Sequence, residues 1–350
     1  MKNRTLIIDG NYLLKRSFHG AKDLYTDSFG HIGALYQFLV TTRKLISDYS
    51  INKVFIAWDG EMGGKLRHLI DPLYKSNRLN KEWSNKIEMT EAEIRREKEK
   101  DASILKQRKR IQAYAEEIFL RQIEIDSIEA DDLIASYCLT HHNDEDITIF
   151  TNDRDFLQLL SLDITIKFSN IETPITKRNF FKHFSYHYSN AFLMKVICGD
   201  KSDNITGIKG IKEDTLLKYF PDLKFRNFSV KEICGLADNI NKDRVSKKIK
   251  PLQCFVNLLN SIDRLKMNYK LVNLHEPMLN EEAIDQLAQL EMPLSPINRG
   301  SKNLYKMMLE DDFLSIYKSD FVSYVQPFYT VIANEKQLLL EYNKKNKNIL

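Results

Sequence analysis

Acidic residues gather in five short pieces of the chain: Asp9, Asp59, Glu129-Ala-Asp131-Asp132, Asp153-Arg-Asp155 and Gly199-Asp200-Lys-Ser-Asp203. Singly each is ordinary, because Asp ends strands and caps helices in many proteins. Brought to one place, nine carboxylates would repel one another strongly unless cations sat among them. A donor set of oxygens alone, without His or Cys, suits Mg²⁺ or Mn²⁺ better than zinc. Two such ions about 3.5 to 4 Å apart can activate water and steady the leaving oxygen in phosphodiester hydrolysis. The charge balance agrees: removing these nine acids from the net charge of +4 leaves +13, so a phosphate backbone could approach once divalent cations are bound.

The acids need elements that bring them together, and the sequence supplies a repeating plan. Thr5–Asp9, Lys53–Asp59, Gln122–Asp126 and Asp146–Asp153 are apolar, β-branched runs that end in Asp, with Ile164–Phe168 as a fifth candidate strand. Continuous apolar runs suit strands covered on both faces, and helical spacing over Ile32–Tyr49 and Asp131–Thr140 supplies the cover. An open α/β sheet is the expectation, with ligands at the carboxyl ends of its strands, where the Asp residues fall. Nearly sixty residues, from Gly60 to about Glu117, interrupt the rhythm. The first half of this interval mixes bases with aromatics (Arg67, Tyr74, Lys75, Arg78, Trp83), and the second half has helical spacing through Ile111, Tyr114 and Ala115. A long polar insertion beside the ligand edge reads as functional. After about Asn190 helical patterns take over, and residues 222 to 250 read as polar and loop-rich.

Composition excludes several classes. At 350 residues and 41.1 kDa, with 43% hydrophobic and 29% charged residues, the chain is an ordinary globular one with length for a sizeable core. No apolar run nears the roughly 18 to 20 residues of a membrane span, and the first residues do not form a signal peptide. Cys138, Cys198, Cys234 and Cys254 are too dispersed for a metal or redox pair, and are expected to be reduced and buried. The expected location is cytoplasmic. His141-His142 reads as a surface loop and Phe18-His19 as packing.

In order and spacing the acidic pieces resemble those of the 5′-nuclease superfamily: flap endonucleases, phage 5′→3′ exonucleases including the phage RNase H type, and polymerase-linked 5′-nuclease domains. The matching pieces are Ile7-Ile-Asp9-Gly-Asn-Tyr, Ala57-Trp-Asp59, Glu129-Ala-Asp131-Asp132-Leu-Ile-Ala, Thr151-Asn-Asp153-Arg-Asp155-Phe and Gly199-Asp200-Lys-Ser-Asp203-Asn-Ile-Thr-Gly207-Ile-Lys-Gly210-Ile. They span roughly residues 5 to 220. The resemblance implies a PIN-like, Rossmann-like, mostly parallel sheet flanked by helices, with a helical arch insertion at about 60–117. It implies a nuclease core over 1–190 and a helical subdomain over 191–350, with a helix–three-turn–helix element at about 191–220 and a C-terminal extension. Asp9, Asp59, Glu129 and Asp131 are then expected at a first metal site. Asp132, Asp153, Asp155, Asp200 and Asp203 are expected at a second.

By the same resemblance Tyr74-Lys75-Ser-Asn-Arg78 is the arch motif. Lys75 and Arg78 would steady charge on the scissile phosphate while Tyr74 stacks a base. Catalysis is expected from Lys75, Arg78, Asp131 and Asp9. Gly207, Lys209, Gly210 and Lys212 resemble the duplex-gripping turn, which in relatives also holds a monovalent cation such as K⁺; Lys212 stands where many relatives have a third glycine. The implied activity is a Mg²⁺- or Mn²⁺-dependent, structure-specific 5′→3′ exonuclease and flap endonuclease of bacterial or phage origin. Its implied substrates are DNA with a 5′ flap or 5′ end and RNA–DNA hybrids, with removal of RNA primers or flaps in replication or repair, as a monomer beside replication proteins. Two competing readings share the acids: a PIN-type ribonuclease, against which the glycine turn and long insertion argue, and a non-catalytic DNA-structure-binding protein.

Overall fold

Five parallel strands make the central sheet: β1 (Asn3–Asp9), β2 (Lys53–Asp59), β3 (Arg121–Ile125), β4 (Glu145–Thr151) and β5 (Thr165–Phe168), in the spatial order β3-β2-β1-β4-β5. The computed structural model describes residues 2–77, 89–297, 299–317 and 320–347. Each strand lies within two residues of the run expected for it. The apolar runs are buried because helices cover both faces, and alternate side chains along a strand enter different cores. Ile7, Phe55, Ile123 and Ile149 belong to one core. Leu6, Ile8, Ile56, Trp58 and Phe150 belong to the other.

The chain alternates strand and helix through α1 (Gly10–Gly20) and α2 (Gly33–Asp48). The long interval then holds α3 (Lys65–Ile70) and α4 (Glu91–Glu117), 27 residues long. A capping box of Thr90 and Glu93 starts α4, and its last turns bury Ile111, Tyr114 and Ala115 against the second core. Arg78 and Trp83 lie outside the described residues. After β3 comes α5 (Ala130–His141), and a 3₁₀ segment, Arg154–Leu162, leads into β5. Two small antiparallel ribbons, 25–26 with 30–31 and 199–200 with 205–206, stand apart from the sheet.

The region beyond residue 190 differs from expectation in two respects. The stretch 222–250 is not loop-rich: helix Val230–Ser246 fills most of it, started by a capping box of Ser229 and Glu232 that a reading for hydrophobic period overlooks. Nor does 191–350 pack as one unit. Residues from α6 (Ala191–Cys198) through Ala283 join the core that contains α5. Leu304, Met308, Phe313, Tyr324, Phe328 and Val331 cross to the opposite core, against α1, α2 and α4. Arg121 of β3 anchors that return, donating from Nε and Nη2 to Glu335 at 2.8 and 2.6 Å, fully buried. Of the four cysteines, all free, only Cys138 is fully buried. Among the described residues no helix is long and apolar enough to cross a membrane.

Candidate metal centre

From β1 the chain builds outward through β2 and β3 on one side, and from β4 to β5 on the other. The reversal between β1 and β4 opens a crevice at their carboxyl ends, where open α/β sheets take ligands. Asp9 ends β1, Asp59 ends β2 and Asp153 follows β4. The backbone N–H of Ala130 donates to Asp59 Oδ1 at 2.8 Å, which fixes the start of α5, and with it Asp131, over the same crevice. Asp9, Asp59, Asp131 and Asp153 line a cleft of about 350 Å³ with Asn11, Lys15 and Lys75.

Local chemistry aims these acids. Asp9 caps α1, accepting from the Tyr12 N–H at 2.9 Å, and its other oxygen accepts from Thr151 Oγ1 at 3.2 Å. Asn11 donates to Asp59 Oδ2. Asp153 caps the 3₁₀ segment by accepting from the Asp155 N–H at 2.8 Å. These bonds do not neutralise the charge. Burial pushes the Asp9 carboxyl up to about 7, and Asp59 and Asp153 push the same way against the Tyr12 N–H. Burial, with Asp153 and Asp9, holds Asp131 well above the usual carboxylate range, while Lys75 opposes. Four crowded carboxylates, of which Asp9 and Asp131 resist ionising, form a donor set that a divalent cation fits, since its charge removes the repulsion.

A second cluster lies alongside. Asp155, Asp200 and Asp203 each place an oxygen within 4.8 Å of the others. Lys195, from α6, contacts Asp155 and donates to Asp200 Oδ2 at 2.6 Å. Burial alone would raise Asp200, but Lys195 and the Ser202 hydroxyl and N–H pull it down to about 2. Residues 73–77 are stitched to this loop. The Lys75 N–H donates to Asp203 O at 2.8 Å, Asn77 Nδ2 to Lys201 O at 2.7 Å, and Asn204 Nδ2 to Leu73 O at 2.8 Å. Lys75 holds a left-handed φ of 54° there and pairs through Nζ with Glu129. The acidic loop closes where Gly199 meets Gly207: a Cβ on Gly207 would come within 2.0 Å of the Cys198 carbonyl. Beyond it Lys209, Gly210 and Lys212 are exposed, ahead of α7 (Glu213–Tyr219).

A family model described as "5′-3′ exonuclease, N-terminal resolvase-like domain" matches residues 4–185. The chain belongs to the 5′–3′ exonuclease family. It is 28% identical over 318 residues to a 5′-3′ exonuclease of Mycoplasmopsis pulmonis, covering 88% of this chain and 96% of that protein. It is 30% identical over 223 residues to a 5′-3′ exonuclease of Halalkalibacterium halodurans, covering 61% of this chain and 67% of that one. A DNA polymerase I of Geobacillus stearothermophilus is 29% identical over 257 residues, 70% of this chain but 27% of the polymerase. Among solved structures, the phage T5 5′-exonuclease with bound zinc superposes with TM-score 0.61 at 22% identity, over 89% of this chain and 99% of that one. The T5 flap endonuclease in a pseudo-enzyme-product complex with DNA and metal ions gives 0.61 at 20%, over 91% and 100%. These two likenesses bear on the fold.

In this 5′–3′ exonuclease family member, the acids expected from sequence part into three groups rather than two. Asp9, Asp59, Asp131 and Asp153 share the cleft, so Asp153 sits with the first group and not the second. Asp155, Asp200 and Asp203 form the second. Asp132 joins neither. Consecutive helix residues point about 100° apart, so when Asp131 faces the cleft Asp132 faces away. Asp132 accepts from Arg67 Nη1 at 2.5 Å and Nη2 at 3.0 Å and from the Met278 N–H at 2.9 Å. Glu129 accepts from Arg67 at 2.6 Å and from the Tyr74 hydroxyl at 3.1 Å. Tyr74 is 3% exposed, so its ring is not available to stack a base; it supports Glu129 instead. His141 ends α5 and pairs with Glu291 at 2.7 Å rather than lying in a loop. Sequence reasoning missed Lys195 and the clamp role of Arg67. The signal for Lys195 was its position five residues before Asp200 on a helix that feeds the acidic loop.

Proposed function

We propose that this family member is a divalent-metal-dependent, structure-specific 5′→3′ exonuclease and flap endonuclease. Its substrates would be DNA with a 5′ end or 5′ flap and the RNA strand of RNA–DNA hybrids. One observation carries the reading: Asp9, Asp59, Asp131 and Asp153 crowd a single cleft with Lys75 at the carboxyl edge of the sheet. Bound among these acids, Mg²⁺ or Mn²⁺ would supply the Lewis acidity that lowers the pKa of an attacking water and offsets charge on the phosphate.

The chain's own groups do the rest. Asp9, Asp59, Asp131 and Asp153 would hold one ion, with Glu129 behind them, and Asp155, Asp200 and Asp203 a second. Lys75 is held at the cleft by Glu129, and the same acid with Asp203 and Asp131 raises its pKa against the effect of burial, so it stays cationic and available to the scissile phosphate. Arg78 would add a second cation there. The exposed turn at Gly207, Lys209, Gly210 and Lys212 would contact duplex backbone, reading shape and phosphate rather than sequence, with a monovalent cation held by its carbonyls. Work as a monomer beside replication proteins in the cytoplasm completes the reading.

The test uses a 5′-labelled flap, a matched RNA-primed duplex and a blunt duplex, each with Mg²⁺ and with EDTA. Mg²⁺-dependent cutting at the flap junction or stepwise loss of the RNA primer is expected. Flap binding without product in Mg²⁺ or Mn²⁺ would sink the reading and leave a binding protein.

A further inference from the structure

Three helices hold Asp59. Asn11 of α1 and the Ala130 N–H of α5 bind its carboxylate, one oxygen each. From α4, Arg108 Nη2 donates to its backbone carbonyl at 3.1 Å. The first two contacts act on the acid itself, and Arg108 acts on the backbone that carries it.

Arg108 is in turn fixed by two strands and its own helix. Its Nη2 also pairs with Glu124 Oε1 at 3.0 Å, and its guanidinium lies over the Trp58 ring, 5.1 Å from the centroid. Gln112, one turn on along the same face of α4, donates to the other Glu124 oxygen at 2.9 Å. Gln122, two residues from Glu124 and so on the same face of β3, donates to the Gln112 carbonyl at 2.9 Å. It also accepts from Trp58 Nε1 at 3.2 Å. Trp58 is fully buried and abuts Gly10, where even a Cβ would lie 2.6 Å from the ring. Arg108 stands where α4 enters the protein, since Gln107 is the first buried residue of that helix. Its side chain is 20% exposed, and among the described residues its buried Nε has no hydrogen-bond partner. One donor is thus left unsatisfied while the fork stays on Asp59 and Glu124.

We propose that Arg108 is a positioning residue for the cation of the acidic cleft: by fixing the Asp59 backbone it sets where the Asp59 carboxylate meets the ion. The proposal rests on the metal-dependent nuclease reading above and gives α4 a part in cation binding that needs no contact with DNA. Charge alone predicts the reverse effect. A guanidinium beside a cation site repels the ion, so its loss would tighten binding, whereas loss of a positioning contact loosens it.

Two variants test this. Arg108→Met keeps an apolar stem on Trp58 and loses every donor, and Arg108→Lys keeps the charge and a single donor group. Mn²⁺ binding is followed in DNA-free protein by electron paramagnetic resonance, beside melting curves in EDTA. Arg108→Met is expected to weaken Mn²⁺ binding about ten-fold, and Arg108→Lys to recover part of the loss. The Mg²⁺ concentration for half-maximal flap cutting should rise by the same factor, with KM for the flap at saturating Mg²⁺ unchanged. Mn²⁺ binding that is unchanged or tighter in Arg108→Met would overturn the proposal. So would a raised flap KM with an unchanged Mg²⁺ requirement, which makes Arg108 a phosphate contact. Should Arg108→Met not fold, Glu124→Gln decides. It loosens Arg108 from β3 and leaves Asp59 untouched, so weaker Mn²⁺ binding supports the proposal and unchanged binding overturns it. Wild-type protein whose Mn²⁺ binding depends on Arg108 but which does not cut keeps this proposal and loses the nuclease. Protein that cuts, with Mn²⁺ binding indifferent to Arg108, loses this proposal alone.

Discussion

Arg67 and Asp132 face each other as a bidentate pair, Nη1 to Oδ2 at 2.5 Å and Nη2 to Oδ1 at 3.0 Å, with both side chains almost wholly buried. The same guanidinium holds Glu129 at 2.6 Å, and its Nε donates to the Leu271 carbonyl at 2.9 Å. One side chain thereby ties α3, α5 and the segment after residue 270 together directly behind the acidic cleft. Removing it leaves Asp132 buried with the Met278 N–H but without its guanidinium, and Glu129 with Lys75 and Tyr74 alone. Arg67→Ala is expected to cost about 3–5 kcal/mol, read by urea unfolding. A loss under about 1 kcal/mol would mean that water already reaches the pair.

Asp131 illustrates the opposite balance, a carboxylate the fold would be better off without. Its charge is opposed by burial and by Asp153 and Asp9. Asp131→Asn is expected to stabilise the metal-free protein by roughly 1 kcal/mol while abolishing cleavage, the usual trade at a strained site. Melting curves with and without Mg²⁺ check this: the wild-type midpoint should rise on adding Mg²⁺, and that of the variant should barely move. A variant that melts lower than wild type in EDTA contradicts the repulsion argument.

Tyr74 supports Glu129 from a buried position, with Arg67 and Lys75 over its ring, so the ring is closed to a base. Tyr74→Phe is expected to lose about 1–2 kcal/mol of stability and to slow cleavage. Flap affinity should hold, since no base rests on the ring. Weakened flap binding with unchanged stability would restore the stacking role expected from the arch motif.

At the far end of the sheet, Glu145 is buried with Lys53 at 2.7 Å, Thr5 at 2.6 Å and Tyr137 at 2.8 Å. Burial alone would raise its pKa, but the Lys53 ammonium and the two hydroxyls outweigh it and hold the carboxyl below its ordinary value. The folded state therefore binds this proton less readily than the unfolded chain. The stabilisation is complete above the unfolded carboxylate pKa of about 4.3 and is lost as pH falls through the lower folded value. Glu145→Gln should destabilise by about 3–5 kcal/mol at pH 7, because Lys53 stays buried without its partner. The gap from wild type should narrow on acidification. A gap that is constant from neutral to acid pH would show that the effect is steric.

The sequence alone determined the strands, their Asp endings and the order of the acidic pieces. Long apolar runs must be covered on both faces, and an Asp that ends each run must then emerge at one edge. It also marked Asp9, Asp59 and Asp131 as candidates for one centre. Which acids share a cleft was decided only in three dimensions. Asp131 and Asp132 are neighbours in the chain, and the 100° step of a helix sends one to the cleft and the other to Arg67. Lys195 stands five residues before Asp200, but it reaches Asp155 from forty positions away in the chain, a contact made by the packing of α6. Residues 301–331 cross to the opposite face of the sheet because the second core needs covering and Arg121 offers Glu335 a buried partner. Spacing along a chain fixes which face of its own element a residue occupies, but the neighbour across that face belongs to another element, and only packing supplies it.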